Sequence, residues 1–266
     1  MKHLISDTYL ANIADAIRQK DGTQTTMTVS DMPNRIQNIP SSSTDYMAQR
    51  VNSTLSSYTI PNTCTVISAY SFYWQPLTSI TIPSSVTRIS DYAFAYCPLS
   101  SVFLPRTLTY VDQYAFYSLC DTRMTYTLTS VTYDDNMQLE GGLQMFGANR
   151  NLTTLNNFKI TNFKDRTMAN AMFQDTGLVG DISIEDSATI GQRTFNNTRS
   201  AGILYIHLTQ TDASLLTSKY SFGPGSTTTN RSFNFDHCRL VVPVGMLSDY
   251  QSAFPSYSSI MIEETT

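Results

Sequence analysis

The chain has 266 residues, a formal net charge of -4 and only 14% charged positions, while Ser and Thr together fill about a quarter of it. That charge content is well below the roughly 25% of an average soluble protein, and a mildly acidic balance lacks the clustered Lys and Arg that nucleic-acid binding needs, so no nucleic-acid partner is expected. A hydrophobic content of 41% with 16 Tyr and 13 Phe is too apolar for intrinsic disorder.

Residues 1–40 read as a helical region. Leu10, Ile13, Ala14 and Ile17 recur at helical spacing, with Ser6 or Asp7 as N-cap and Asp21-Gly22 as a stop. A second short helix starts near Ser30 with Pro33 in its first turn, and carries Met32, Ile36 and Ile39 on one side. Two such helices bury little alone, so they are expected to pack on the rest of the chain, a second copy or a larger assembly. The start, Met1-Lys2-His3-Leu4-Ile5-Ser6-Asp7, lacks the apolar stretch and cleavage site of a secretory signal. No apolar run approaches the roughly eighteen residues that cross a bilayer. Synthesis and initial retention in a cytoplasm are expected, without membrane insertion. Residues 41–57, opening on Ser41-Ser42-Ser43-Thr44, read as a linker or N-terminal cap.

A different pattern begins at residue 58. Ile60-Pro61, Ile82-Pro83 and Leu104-Pro105 are spaced by 22 residues, as are Phe72, Phe94 and Phe116. Ile67, Ile89 and Val111 keep that step, and so do Cys64, Val86 and Leu108. A fixed period of this length signals a repeat architecture. An insertion of about seven residues follows Cys120 before Leu128-Thr-Ser-Val131 restores the strand pattern. Phe146 with Leu152, and Phe173 with Leu178, repeat an aromatic followed by a leucine. Phe173 to Phe195, Ile182 to Leu204 and Ile184 to Ile206 again differ by 22. About seven turns are expected over residues 58–240, with a polar loop near Ser221–Ser232 and a C-terminal cap at 241–266.

Each unit holds two short strand-like pieces, Leu-x-x-Ile-x-Ile-Pro and Val-x-x-Ile. One unit cannot hide its apolar residues alone; stacking at about 4.7–4.9 Å gives each Ile, Leu and Phe a like neighbour above and below. The Pro has no N–H and ends the first strand at a corner. The predicted fold class is therefore a repeat solenoid, mainly β with short strands, carrying a small helical N-terminal region and a C-terminal strand-helix cap.

The string Leu77-Thr-Ser-Ile-Thr-Ile-Pro-Ser-Ser-Val-Thr-Arg-Ile-Ser-Asp-Tyr-Ala-Phe-Ala-Tyr-Cys97 resembles the BspA-type leucine-rich repeat, tightly over Ile60–Cys120 and loosely over Leu128–Ile206. Val241-Val-Pro-Val-Gly-Met-Leu-Ser-Asp-Tyr-Gln-Ser-Ala-Phe254 is similar to the closing segment of such arrays, a last strand and a short helical lid. Leu10-Ala-Asn-Ile-Ala-Asp-Ala-Ile-Arg-Gln-Lys20, Gly22 and Val29-Ser-Asp-Met-Pro-Asn-Arg-Ile36 look like a short helical segment of bacteriophage tail and other virion proteins. BspA-type repeats on bacterial surfaces usually come with a secretion signal and an anchor, and a virion protein needs neither. The resemblances together imply a virion protein, tail-associated or fibre-like, with Ile13, Ile17 and Ile36 in its attachment segment. Its partners would be other virion proteins and a host-surface glycan or protein, with several copies per particle. A bacterial surface adhesin and a purely architectural head fibre or decoration protein are the alternatives.

Catalytic and metal chemistry find little support. His3, His207 and His237 are far apart, and Asp134-Asp135-Asn136 with Glu140 misses the spacing of a calcium loop. No nucleophile-elbow, zinc-protease or phosphate-loop motif occurs. Asp91 and Asp112, the main acids of the clearest repeats, suit capping better than a pair of glycosidase carboxylates. Cys64, Cys97, Cys120 and Cys238 form no Cys-x-x-Cys pair, and Cys97 and Cys120 read as small buried core residues. Neither an enzyme, a cofactor nor a metal is expected. The aromatic residues are the binding candidates: Tyr70, Tyr92 and Tyr114 step by 22 residues, Trp74 aligns with Tyr96, and Tyr73 and Tyr117 form a gapped series. Their rings either cover the bend beside the Phe core or present an aromatic surface for a sugar or a protein. Phe103 and Tyr205 occupy outward strand positions and join that list.

Overall fold

The computed structural model describes residues 57–118, 127–185, 187–196, 202–223 and 232–265. The chain forms two compact units, Met1–Tyr58 and Thr59–Thr266. The expected helices of residues 1–40, with Ile13, Ile17 and Ile36, lie outside the described residues, as do Cys120 and the linker up to residue 56.

The second unit consists mostly of short strands with few helices. In chain order they are β1 (Val66–Ile67), β2 (Arg88–Ile89), β3 (Ser101–Leu104), β4 (Tyr110–Val111), β5 (Ser130–Tyr133), β6 (Glu140–Gly141) and β7 (Thr154–Asn156). There follow β8 (Thr167–Met168), β9 (Gly180–Ile184), β10 (Ala188–Ile190), β11 (Leu204–Leu208), β12 (Tyr220–Phe222), β13 (Cys238–Val242) and β14 (Met261–Glu263). They assemble as four sheets, β1-β2-β4-β6, β3-β5-β7, β12-β10-β8 and β14-β13-β11-β9. Every pairing between these strands is parallel. The repeat itself explains this: corresponding strands of successive repeats run in the same direction, and the residues between them supply the crossover that parallel pairing demands.

The 22-residue step sets the register. Ile67 pairs with Ile89 and Ile89 with Val111. All three are buried, whereas their neighbours Val66, Arg88 and Tyr110 point outward, because successive strand residues face opposite ways. The insertion ahead of Leu128 shifts the step without changing the pattern: Val102 pairs with Val131 and Leu104 with Tyr133. At the corners, the carbonyls of Pro61, Pro83 and Pro105 accept from the amides of Cys64, Val86 and Leu108 at 2.9, 3.0 and 3.0 Å.

The interior is organised around phenylalanine. Phe72, Phe94, Phe116, Phe146, Phe173, Phe195 and Phe233 follow one another ring on ring, with centroids 4.9, 5.3, 5.3, 5.8, 5.6 and 6.0 Å apart and planes within 15°. Backbone bonds join the same turns: the Phe72 amide donates to Ala93, Phe94 to Ala115, and Phe116 to Met145. The residue three places after the Phe can close off the backbone beside it. The Cys97 thiol donates to the Phe72 carbonyl at 2.9 Å, and the Asn149 amide donates to the Phe116 carbonyl at 2.7 Å. Burial first, against a smaller opposing hydrogen bond, pushes the Cys97 thiol up to about 12. It is therefore protonated and non-nucleophilic across the physiological range. Alkylation of the native protein at mildly alkaline pH should spare Cys97 and modify the partly exposed Cys64; mass spectrometry of the digested protein checks this.

Two further columns flank the ring stack, and their backbone is left-handed. Two residues before the Phe stand Tyr70, Tyr92, Tyr114, Gln144, Ala171 and Arg193, and two residues after it stand Trp74, Tyr96, Ala148 and Asp175, all with φ between 49° and 61°. L-residues disfavour this region. Here the conformation aims successive amides at the next turn: Tyr70 donates to Asp91 and Trp74 to Ala95 at 3.0 and 3.1 Å. Ala171→Gly should consequently raise stability by about 0.5–1 kcal/mol. Ala93→Gly, at a buried position outside these columns, should lower it by about 1 kcal/mol. Paired denaturant titrations read both signs.

Two expectations need correction. Ile182 pairs with Ile206 and Ile184 with Leu208, a step of 24, so the expected matches to Leu204 and Ile206 slip by two residues. Phe173 and Phe195 still stack, and Met168 still pairs with Ile190. The two extra residues therefore fall between Phe195 and the start of β11 at Leu204. The expected loop at Ser221–Ser232 begins as strand instead. Tyr220–Phe222 is strand β12, paired with β10, Ser232 is buried, and residues 224–231 lie outside the described residues.

The carboxy-terminal end holds a strand followed by a helix. Strand β13 is followed by helix α2 (Leu247–Ala253), with a one-turn helix α1 (Leu216–Lys219) earlier in the chain. Tyr250 of α2 is fully buried and its hydroxyl donates to the Gln210 carbonyl at 2.9 Å. The final strand β14 adds to β13 through Leu240–Met261 and Val241–Ile262.

Candidate functional site

The sequence-predicted aromatics of the first three turns come together. Tyr70, Tyr92 and Tyr114 stack in a column, with centroids 5.2 and 4.7 Å apart and planes 6° and 14° apart. Trp74 stacks on Tyr96 at 4.7 Å and 14°. Tyr73, one residue after Phe72, stands between the two columns, edge-on to Tyr70 at 5.4 Å, Tyr96 at 5.5 Å, and both Tyr92 and Trp74 at 6.3 Å. Tyr117 does the same one end further on, edge-on to Tyr114 at 5.4 Å and Tyr96 at 5.8 Å. These rings form one network on the face beside the Phe column.

Its position follows from the backbone. Tyr70 is exposed and Trp74, Tyr92, Tyr96 and Tyr114 are half-buried, so in the first three turns the left-handed residues flanking the Phe reach the surface. In the first three turns most of those positions are Tyr or Trp, and in later turns they are Gln144, Ala148, Ala171, Asp175 and Arg193. The local conformation therefore does not require aromatic residues, and the network is confined to one end of the stack. Aromatic pairs contribute about 0.5–1.5 kcal/mol beyond their burial, which offsets the cost of the strained backbone.

Stacking also fixes what the face can offer. Ring faces inside the columns are occupied by one another, so partners meet ring edges and hydroxyls. Burial, then the neighbouring Tyr114 and Tyr70, raises the Tyr92 phenol above its ordinary value. Burial, then Tyr96, Tyr114 and Asp175, pushes Tyr117 up to about 12. These phenols are neutral hydrogen-bonding groups at physiological pH. A rigid, uncharged, hydroxyl-bearing aromatic surface of this kind is typical of protein-binding hot spots. It is less suited to sugar stacking, which needs open ring faces.

The other candidates stand apart. Phe103 lies in β3, 51% exposed, with Thr132 beside it in the ladder. Tyr205 lies in β11, half-buried, between Asp181 and Arg239. Neither belongs to the ring network. The acidic cluster disperses into separate ion pairs: Asp134 with Arg106 at 3.2 Å, Asp135 with Lys159 at 3.9 Å, and Glu140 with Lys164 at 3.3 Å. Asp112 takes the Arg88 guanidinium at 2.6 Å. His207 meets Asp181 through Nε2 at 2.8 Å and Glu264 through Nδ1 at 3.8 Å, so the two carboxylates lie on opposite edges of the ring and cannot share a metal with it. Among the described residues, no three His, Cys, Asp or Glu side chains gather as metal ligands, and no helix is long and apolar enough to cross a membrane.

The spacing found Tyr73 and Tyr117 but not their bridging role, since an edge-on contact between columns leaves no periodic trace. No curated protein matches the chain. Residues 50–140, which contain the whole network, match the family model described as the BspA type leucine rich repeat region, in six copies, and similarity to such repeats points to a protein–protein or surface interaction role.

Proposed function

We propose that this chain is a non-catalytic recognition protein whose repeats wind as one continuous solenoid and whose aromatic network is the contact surface. The observation that carries this reading is the joining of Tyr70, Tyr73, Trp74, Tyr92, Tyr96, Tyr114 and Tyr117 into one array, in which Tyr70, Trp74, Tyr92, Tyr96 and Tyr114 hold a left-handed backbone that would favour glycine. A protein partner fits the exposed edges and neutral hydroxyls better than a glycan. On this reading residues 1–40 attach the chain to a phage particle, where other virion proteins hold it and several copies convert weak contacts to a host surface into avidity. The resemblance of the Leu10–Ile36 segment to virion proteins supports that placement. The BspA-type match favours a second setting for the same surface, display on a bacterial cell as an adhesin. Mass spectrometry of purified virions and of washed cell envelopes separates the two.

The binding surface has its own test. Changing Tyr92 and Tyr114 together to Ala should weaken binding to the target cell surface by about 30-fold or more, because one central aromatic anchor is worth about 2 kcal/mol and the losses of neighbouring anchors do not simply add. Cooperative unfolding should persist. Binding equal to that of the unchanged protein rejects the network as the site.

A further inference from the structure

The stacked tyrosines also bear on covalent chemistry. We infer that the Tyr70–Tyr92–Tyr114 column is an oxidative cross-linking site, at which a one-electron oxidant couples phenols of adjacent turns into dityrosine.

Three observations carry the inference. The closest pair, Tyr92 and Tyr114, has ring centroids 4.7 Å apart, and Tyr70 extends the column at 5.2 Å. The backbone holds the pair together: the Tyr92 amide donates to the Gln113 carbonyl and the Phe94 amide to Ala115, so the two turns cannot drift apart. The column is also open to reagents, with Tyr70 48% exposed and Tyr92 and Tyr114 half-buried. The surrounding rings add a reservoir of oxidisable groups. Trp74 and Tyr96 stack at 4.7 Å, and Tyr73 touches both columns. An electron lost from any of these rings can be replaced from its neighbour, so the deficit reaches the column wherever oxidation begins.

The reaction needs an oxidant, and hydrogen peroxide acting through a haem peroxidase is the class proposed. Each of two phenols gives up one electron and its hydroxyl proton, leaving two phenoxyl radicals, and the peroxide takes up both electrons and both protons to become two waters. The radicals join through a new bond between ring carbons ortho to oxygen. The hydrogens on those carbons then move to the oxygens and restore both phenols. The product has lost two hydrogen atoms and joins residues one repeat apart. Burial and the neighbouring phenols keep Tyr92 protonated at neutral pH, so electron and proton leave together.

Such a link would close a loop of one 22-residue turn and fasten neighbouring repeats against unfolding, a useful property for a surface exposed to a host's oxidants. It does not depend on what the aromatic face binds.

The test treats the intact protein with peroxidase and hydrogen peroxide, with a parallel sample unfolded in urea. The monomer-sized product is examined for the blue fluorescence of the coupled biphenol, and its digest for linked peptides lacking two hydrogens. Folded protein should yield peptides joining Tyr92 to Tyr114 or to Tyr70, and should unfold at a higher temperature afterwards. Tyr92→Phe keeps the stacking ring but removes the shared phenol, so this column's product should fall to the level of the unfolded chain. Equal yield of that product from folded and unfolded protein, links scattered over other tyrosines, or a yield unchanged by Tyr92→Phe would each overturn the inference.

Discussion

Phe116→Ala should destabilise the second unit by about 3–5 kcal/mol, the cost of removing a large side chain from a core that cannot collapse around the gap. Phe116 is 3% exposed and is stacked on both sides, by Phe94 at 5.3 Å and Phe146 at 5.3 Å. The backbone above and below is fixed by inter-turn bonds from the Phe94 and Phe116 amides, so neighbouring turns cannot close the hole. The loss exceeds that of one contact because both neighbouring rings lose a face. Phe103→Ala is the control: it removes a ring of the same size from an outward strand position and should stay within about 0.5 kcal/mol. Urea titrations followed by circular dichroism would separate the two, and equal effects would mean that the ring column is not the core.

Gly142→Ala should be nearly as damaging, at about 3 kcal/mol, for the opposite reason. A Cβ on Gly142 would lie 2.3 Å from the Gln113 nitrogen and 2.4 Å from the Asp112 carbonyl carbon. Both are backbone atoms of the preceding turn, which cannot rotate away as a side chain could. The contact exists because the Gly142 amide donates to the Val111 carbonyl at 2.7 Å, which brings the two backbones together where the repeat resumes after the insertion. Gly141→Ala is the milder neighbour: its Cβ would meet the flexible end of Met172 at 2.5 Å, which can move. A drop in unfolding midpoint for Gly142→Ala well beyond that of Gly141→Ala supports the account, and the reverse order contradicts it.

These two substitutions show where the chain was legible and where it was not. The Phe column, the Ile67–Ile89–Val111 ladder and the tyrosine column were visible because identical residues recur at an identical step, and stacking turns a period into a contact. The ladder's next position is Gly141 of β6, paired with Val111 of β4, and there the pattern vanishes from the sequence. Its volume is supplied instead by Met145 and Met172, both fully buried, which each stand directly before a column Phe rather than in the ladder. Flexible Met side chains fill an irregular gap without leaving a periodic signature. The slip between β9 and β11 was hidden differently. Ile182, Ile184, Leu204, Ile206 and Leu208 alternate along their strands, so a shift of two residues keeps every apolar side chain facing inward. Only the paired backbone distinguishes a step of 22 from one of 24. The left-handed columns were illegible because Tyr, Trp, Gln, Ala, Arg and Asp, rather than Gly, occupy them. Inter-turn hydrogen bonds, not residue preference, decide their conformation.

The central claim is that each turn rests on the next through its phenylalanine, and a double-mutant cycle tests it most directly. Phe94→Leu and Phe116→Leu, singly and together, are compared with the pair Phe72→Leu and Phe173→Leu, which lie several turns apart. Neighbouring rings should show a coupling of about 0.5–1.5 kcal/mol, and the distant pair should be additive. Strict additivity for Phe94 and Phe116, or equal coupling in both cycles, would contradict a stack held together turn by turn.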